Sequence, residues 1–481
     1  EVDARPSRLG QHPAGDRHQE RDLEQHVEHE RDDDGADQGT RDVALGVLGL
    51  SRELDDVAEA GVGAAHAGRR DPAPGGPPAH RCPPPPGALA RAPGAAAAAP
   101  RVAQGGPGPP PHAAAESLGT VHFPGSCRAD VQPAFTRAVA LLHSFGYEES
   151  RNAFADVAAR DSECGMAQWG IAMTWWHPIW TPPTPNEMNA GKAAIGKAMA
   201  TTGDTDRERL FITALNTYYN TQESPATGEV GQSCHGPVGS RDRVTAYEKE
   251  MRKLYDKYPN DFETQAFYAL AVLSVGYATP TDTTLSKQLQ AAAILEKLWK
   301  KNPNHPGVVH YLIHCYDYPA LAERGLAAAR SYSSIAPWVP HALHMPSHIF
   351  TRLGMWDDSI AANRSSSDAS RAYARIRHRD ATEAEELHAL DYMAYSYLQE
   401  AQDARAKEIV DFAATVRKTN PELEFSGAYA LAAIPSRYAL ERNAWADAAA
   451  LPIPELPHWA SFPFMEALIE YAHALGRAHT G

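Results

Sequence analysis

The sequence predicts an all-α fold, a TPR-type α-solenoid of helix-turn-helix units over residues 118–481, preceded by a disordered tail over 1–117. Three observations predict it. Apolar residues recur at helical spacing from Phe135 onward. The helical stretches come in pairs joined by short turns, with Pro259, Pro303, Pro337 and Pro421 standing just before the next pair. Two successive segments also match at a constant offset: Pro306 and Pro340, His310 and His344, and His314 and His348 are each 34 residues apart.

The tail comes first in the chain. Residues 1–111 contain no Phe, Trp, Tyr, Ile or Lys, so they offer too little apolar surface to offset the entropy of ordering, and disorder is expected. The Leu/Val patch at 43–58 is the one place where transient helix is expected. Twelve arginines against no lysine, and a first residue that is Glu1, also fit GC-rich DNA read in another frame or upstream of the true start. On that hypothesis a genuine leader, such as a signal peptide, is missing here. Recovery of tryptic peptides from 1–111 in natively expressed protein would count against it.

The 34-residue offset is the length of the tetratricopeptide unit, and units are expected to begin near residues 131, 165, 262, 306, 340, 387 and 429. Short turns are read at Phe145 to Ser150, at Leu353 to Ser359 and at Gln402 to Ala406. Pro178 to Pro185 and Glu223 to Gly239 interrupt the pattern and read as loops, not strands; Cys234-His235 in the second has no metal spacing. Phe462 to Arg477 reads as the first helix of a further pair, which implies truncation before its partner. The tryptophans Trp169, Trp175, Trp176 and Trp180 are expected in the core between early units, with His177 a hydrogen-bonded neighbour.

The totals exclude some functions. A net charge of −15 leaves no basic face for nucleic acid, and no apolar run is long enough to span a membrane. No signal peptide is visible in the chain as written. The five cysteines form no C-x-x-C pair. Cys127 and Cys164 each precede a helical hairpin, so they are read either as a bridge or as two buried thiols. There is no G-x-S-x-G, P-loop or dinucleotide fingerprint.

Four stretches carry a resemblance: Leu118 to Pro124, Trp176-His177-Pro178, His310 to Pro319, and Pro340 to Gly354. Together they resemble a group of bacterial tetratricopeptide-repeat proteins, often exported, over about 118 to 481. The resemblance implies the superhelix and export to the periplasm or outside the cell. It implies no activity.

The histidines supply the functional reading. In a tetratricopeptide array the first helix of each pair lines the concave face. In this register His310 and His314 share one such helix, His341, His344 and His348 the next, and His388 and Asp391 a later one. At about 100° per residue, each set falls within about 60° on one helix face. Neutral imidazole ligates zinc, copper, iron and nickel, and histidines four apart on a helix can grip one ion. All seven residues are therefore read as metal ligands for zinc, copper or another transition metal, against the alternative that they pack and hydrogen-bond across helices. Pro346 should kink the helix carrying His344 and His348, either as a mark of the site or as a tolerated irregularity. Asp317 and Tyr316 are read as an acid or as hydrogen-bond partners of the ligands, and equally as caps of the turn before Pro319. Arg352 is read as a groove cation for a carboxylate. Cys315 points about 100° away from His314 and is expected to be buried.

Two functions are compatible with these residues. The first is a scaffold binding a peptide, protein or small molecule in a His-rich concave groove. The second is a metal-dependent enzyme or metal carrier, with Asp391 or Asp317 as ligand or base.

Overall fold

The computed structural model describes residues 117–179, 182–223, 232–233, 236–237, 241–377, 380–422 and 424–481. The tail up to residue 116, Trp180 and Cys234-His235 lie outside the described residues, so the expectations placed on them stand as such.

From Gln132 onward the described chain is mostly helix, in sequential pairs. The first two pairs are α1 (Gln132–His143) with α2 (Tyr147–Arg160) and α3 (Gly165–Trp176) with α4 (Pro185–Ala200). Next come α5 (Asp206–Asn220) with α6 (Arg241–Lys257), α7 (Phe262–Tyr277) with α8 (Ser286–Lys301), and α9 (Pro306–Tyr316) with α10 (Ala322–Ile335). Then a split helix, α11 (Pro340–His344) and α12 (Pro346–Arg352), packs on α13 (Trp356–Ile376). The last elements are α14 (Ala384–Gln399) with α15 (Asp403–Ala413), α16 (Phe425–Glu441) with α17 (Trp445–Ala449), and α18 (Pro463–Thr480). All seven unit starts read from the sequence coincide with first helices to within a few residues. The pair α5 and α6 was not among them, because no 34-residue match marks it.

Local chemistry explains where these helices begin. Thr184 and Thr205 each accept from the amide three residues on while Glu187 and Glu208 reach back, so α4 and α5 open with complete capping boxes. Asp261 caps α7 by accepting from the Thr264 amide at 2.8 Å. His305 caps α9 through its ring, and Pro306 and Pro340 occupy first-turn positions where a missing amide costs nothing. The turns repeat too. Phe145, Gly354, Ala401 and Asn443, each just past a first helix, share left-handed backbone with φ near 53–66°.

Two short pairings depart from pure helix. Gln232–Ser233 pairs antiparallel with Gly236–Pro237, inside the segment read as loop. Thr382–Glu383 pairs parallel with Thr419–Asn420, tying the starts of α14 and α16. Met345 keeps helical dihedrals at the predicted kink, but the chain there bonds over three residues, from the His348 amide to the Met345 carbonyl, and the helix is divided.

Early and late elements also meet. In an open solenoid each unit touches only its neighbours. Here α1 packs against α9 as well as α2 and α3, and the Thr120 amide donates to the Asn304 carbonyl at 2.9 Å. A disulfide joins Cys127 to Cys164, the first of the two alternatives read from the sequence, and Cys315 is buried as a free thiol. Trp169 and Trp176 are core residues, while Trp175 stands under the Arg151 guanidinium. His177 ends α3 in left-handed backbone against the Tyr147 ring. At the far end α18 packs on α16 and α17 through Met465, Ile469 and Ala472. No helix among the described residues is long and apolar enough to cross a membrane.

Candidate functional site

Six of the seven histidines and carboxylates read as ligands are brought together, and they form two adjacent triads. The first is His310 and His314 of α9 with His341 of α11; the second is His344 and His348, flanking the break at Pro346, with His388 of α14. Within each triad one nitrogen per ring lies within 4.8 Å of the other two. The triads adjoin: ring centroids are 6.3 Å apart for His341 and His344, and 6.3 Å for His314 and His348.

Hydrogen bonds to acceptor-only partners fix which nitrogen carries the proton on three of the six rings. His310 donates from Nδ1 to the main-chain carbonyl of His143 at 2.7 Å. A carbonyl only accepts, so His310 Nε2 holds a lone pair, and it faces His341 Nε2 and His314 Nε2, each at 3.1 Å. In the second triad His344 Nδ1 meets Asn363 Oδ1 at 2.6 Å, and the Asn363 amide is oriented by donating to the Ser359 carbonyl. His348 donates from Nδ1 to Asp317 at 2.7 Å. Both Nε2 lone pairs therefore point inward, 2.9 Å apart. Ligand nitrogens bound at about 2.0 to 2.1 Å around a tetrahedral ion stand about 3.3 Å from one another. Lone pairs at such separations repel unless a cation lies between them. A proton bridges one pair, whereas a metal ion serves three at once.

The electrostatics agree. Burial lowers the pKa of His310 well below the ordinary value, with His341 adding to it, and lowers His341 and His344 to about 3, with His348 the next contributor. These rings are neutral near pH 7, the form that ligates. Burial works to raise Asp317, but Arg352 and then His348 outweigh it and hold the carboxylate well below its usual range. Arg352 donates to the second Asp317 oxygen at 3.0 Å. The Arg352–Asp317–His348 chain is the outer-shell pattern that orients a ligating imidazole.

Three expectations are corrected. Asp391 does not join either triad: it lies on the other side of His388 from Glu385 and Tyr392, and pairs with Arg437 of α16 at 2.5 Å. Tyr316 points away from the histidines, its hydroxyl donating to Glu296 of α8 at 2.5 Å. The histidines do not line an open groove either. All six are buried, with His341 the most accessible at 5%.

Sequence reasoning also missed residues. Glu385 contacts His341 Nδ1 at 3.3 Å and is 20% exposed, which places it at the accessible edge of the first triad. Burial raises its pKa while His344 and His348 pull the other way. It stands three residues before His388, and this spacing was the available signal. Phe145 stacks edge-on against His310 at 4.4 Å and face-on against His341 at 5.4 Å. Tyr392 covers the second triad, with ring centroids 5.0 Å from His344 and 4.9 Å from His348.

A further buried group, His143, Glu263 and His305, is of another kind. Glu263 takes His143 Nε2 on one oxygen at 3.0 Å and His305 Nε2 on the other at 3.1 Å. His143 Nδ1 accepts from Tyr311, and His305 Nδ1 accepts from the Val308 amide. Every ring nitrogen has a complementary partner, so this network is structural, and it holds the His143 carbonyl that orients His310. The grouping of Cys127, Asp161 and Cys164 is likewise structural, its sulfurs joined to each other. No family model and no curated protein matches this chain.

Proposed function

We propose that residues 118–481 form a tetratricopeptide-type helical domain that binds two transition-metal ions, one in each histidine triad. The observation that carries the reading is the convergence of Nε2 atoms whose Nδ1 partners are already committed: His310 to a carbonyl, His344 to an amide oxygen and His348 to a carboxylate. All-imidazole donors favour copper and zinc over ions that prefer oxygen. Three protein ligands leave a coordination position open, as in catalytic and not structural zinc sites. Burial of the rings favours this over a peptide groove, whose recognition residues must face the bound chain. The Cys127–Cys164 disulfide supports export to an oxidising compartment.

The test is metal analysis of the purified full chain. About two equivalents of copper or zinc after reconstitution and dialysis near neutral pH are expected. A chain that retains neither, nor nickel, iron or manganese, overturns the reading.

A further inference from the structure

We infer that the two triads act together as a dicopper centre that binds dioxygen between the ions; this rests on the metal-binding reading above. Four features of the site point there.

The first is the donor set. Neither triad includes a carboxylate, although two-metal hydrolytic and di-iron sites in helical proteins are built on them. Six imidazoles, unlike carboxylates, bring no negative charge to stabilise a higher oxidation state. They therefore suit an ion that cycles between +1 and +2, which zinc does not do.

The second is adjacency. His341 and His344 are three residues apart on one helix, yet belong to different triads, and the α9 ring of His314 stands 6.3 Å from the α12 ring of His348. Ions held by the two triads would be immediate neighbours, close enough to share one small ligand. The third is the cover, Phe145 over the first triad and Tyr392 over the second, which limits water around the ions. The fourth is access. The rings are buried and the exposed edge is confined to His341 at 5% and Glu385 at 20%, so the ligand must be small.

Dioxygen meets these demands with no further reactant. Each of two copper(I) ions gives up one electron and becomes copper(II); dioxygen takes both and becomes peroxide, with one new copper–oxygen bond to each ion. No proton is consumed, and release of dioxygen returns the electrons.

The experiment loads metal-free full-length protein with copper(I) under anaerobic conditions, counts copper per chain, and then admits dioxygen. An intense near-ultraviolet band is expected, with a Raman oxygen–oxygen stretch that shifts on isotopic substitution and uptake of one dioxygen per two coppers. Oxidised protein should show a paramagnetic resonance signal well below its copper content, because the two spins couple. The variant His388→Gln, with one triad intact, should bind about half the copper, give its full signal and take up no dioxygen. Two tightly bound coppers with a full signal and no dioxygen band would overturn the dicopper inference while leaving metal binding standing. Failure to bind copper at all would overturn both.

Discussion

His344 and His348 face each other through their Nε2 atoms at 2.9 Å while their Nδ1 atoms are turned outward onto Asn363 and Asp317. The break at Met345-Pro346 lies between them, so the two rings belong to different helical segments yet close on a single point. The arrangement is a hinge-set pair of donors, and its consequences can be measured.

Replacing His314 and His348 together with Gln removes one donor from each triad while keeping similar size and hydrogen-bonding capacity. Bound metal should fall to background and the fold should persist by circular dichroism. The parent should gain thermal stability on adding ion, about 2.7 kcal/mol per site at a hundred times Kd, and the variant should not. A variant retaining full metal content would show that these rings only pack.

The variant Asp317→Asn keeps the shape beside His348 and Arg352 but removes the charge that polarises the ring. Metal affinity should drop about 10- to 100-fold with stoichiometry unchanged, read by competition against a chelator of known affinity. Unaltered affinity would mean that the carboxylate serves only to pair Arg352.

Glu263 gives a pH prediction. Burial works to raise its pKa, but His305 and His143 outweigh that and hold it well below the usual carboxylate range. A carboxylate depressed in the folded state contributes stability that is present above its unfolded value of about 4.5 and is lost as pH falls toward the folded value. The acid limb of the stability curve should therefore begin near pH 4.5 and steepen below it. The variant Glu263→Gln should cost on the order of 3 kcal/mol at neutral pH and flatten that limb, followed by urea unfolding at several pH values. An unchanged limb would remove Glu263 from the account.

The Cys127–Cys164 disulfide spans a sequence separation of 37. Closing a loop of that length stabilises by about 4 kcal/mol in the chain-entropy picture. Changing both cysteines to Ser should lower the denaturation midpoint correspondingly, and reductant should have no added effect on that variant. If the parent is equally stable with and without reductant, the bridge contributes nothing.

The helices were legible because their signals are local. Helical apolar spacing, prolines just before the helix pairs, and the match of His310 and His314 with His344 and His348 all lie within one or two units of sequence. The gathering of the histidines came from the same match. Their division into two groups did not: His341 and His344 share α11 yet fall in different triads, whereas His344 and His348 flank the Pro346 break and share one. Asp391 misled for a related reason. It is about 60° from His388 on α14, but on the side away from Glu385 and Tyr392, where Arg437 arrives from α16. Phe145 and the His143 carbonyl could not be read at all, since they approach His310 from more than 160 residues away. Phe145 adopts its left-handed backbone although it is not glycine, at a cost of about 1 to 2 kcal/mol, and its ring lies buried against the histidines.

The junction of α1 with α9 changes what kind of object the helical array is. His143 accepts from His310 through its carbonyl and from Tyr311 through its ring, across 167 and 168 positions. A chain whose units contact only their neighbours can fray from either end, one pair at a time. A chain clasped in this way cannot lose its first pair without disturbing the middle, so it should melt in a concerted step over this region and fold more slowly than its helical content suggests. During synthesis α1 must wait for α9 before the clasp can close.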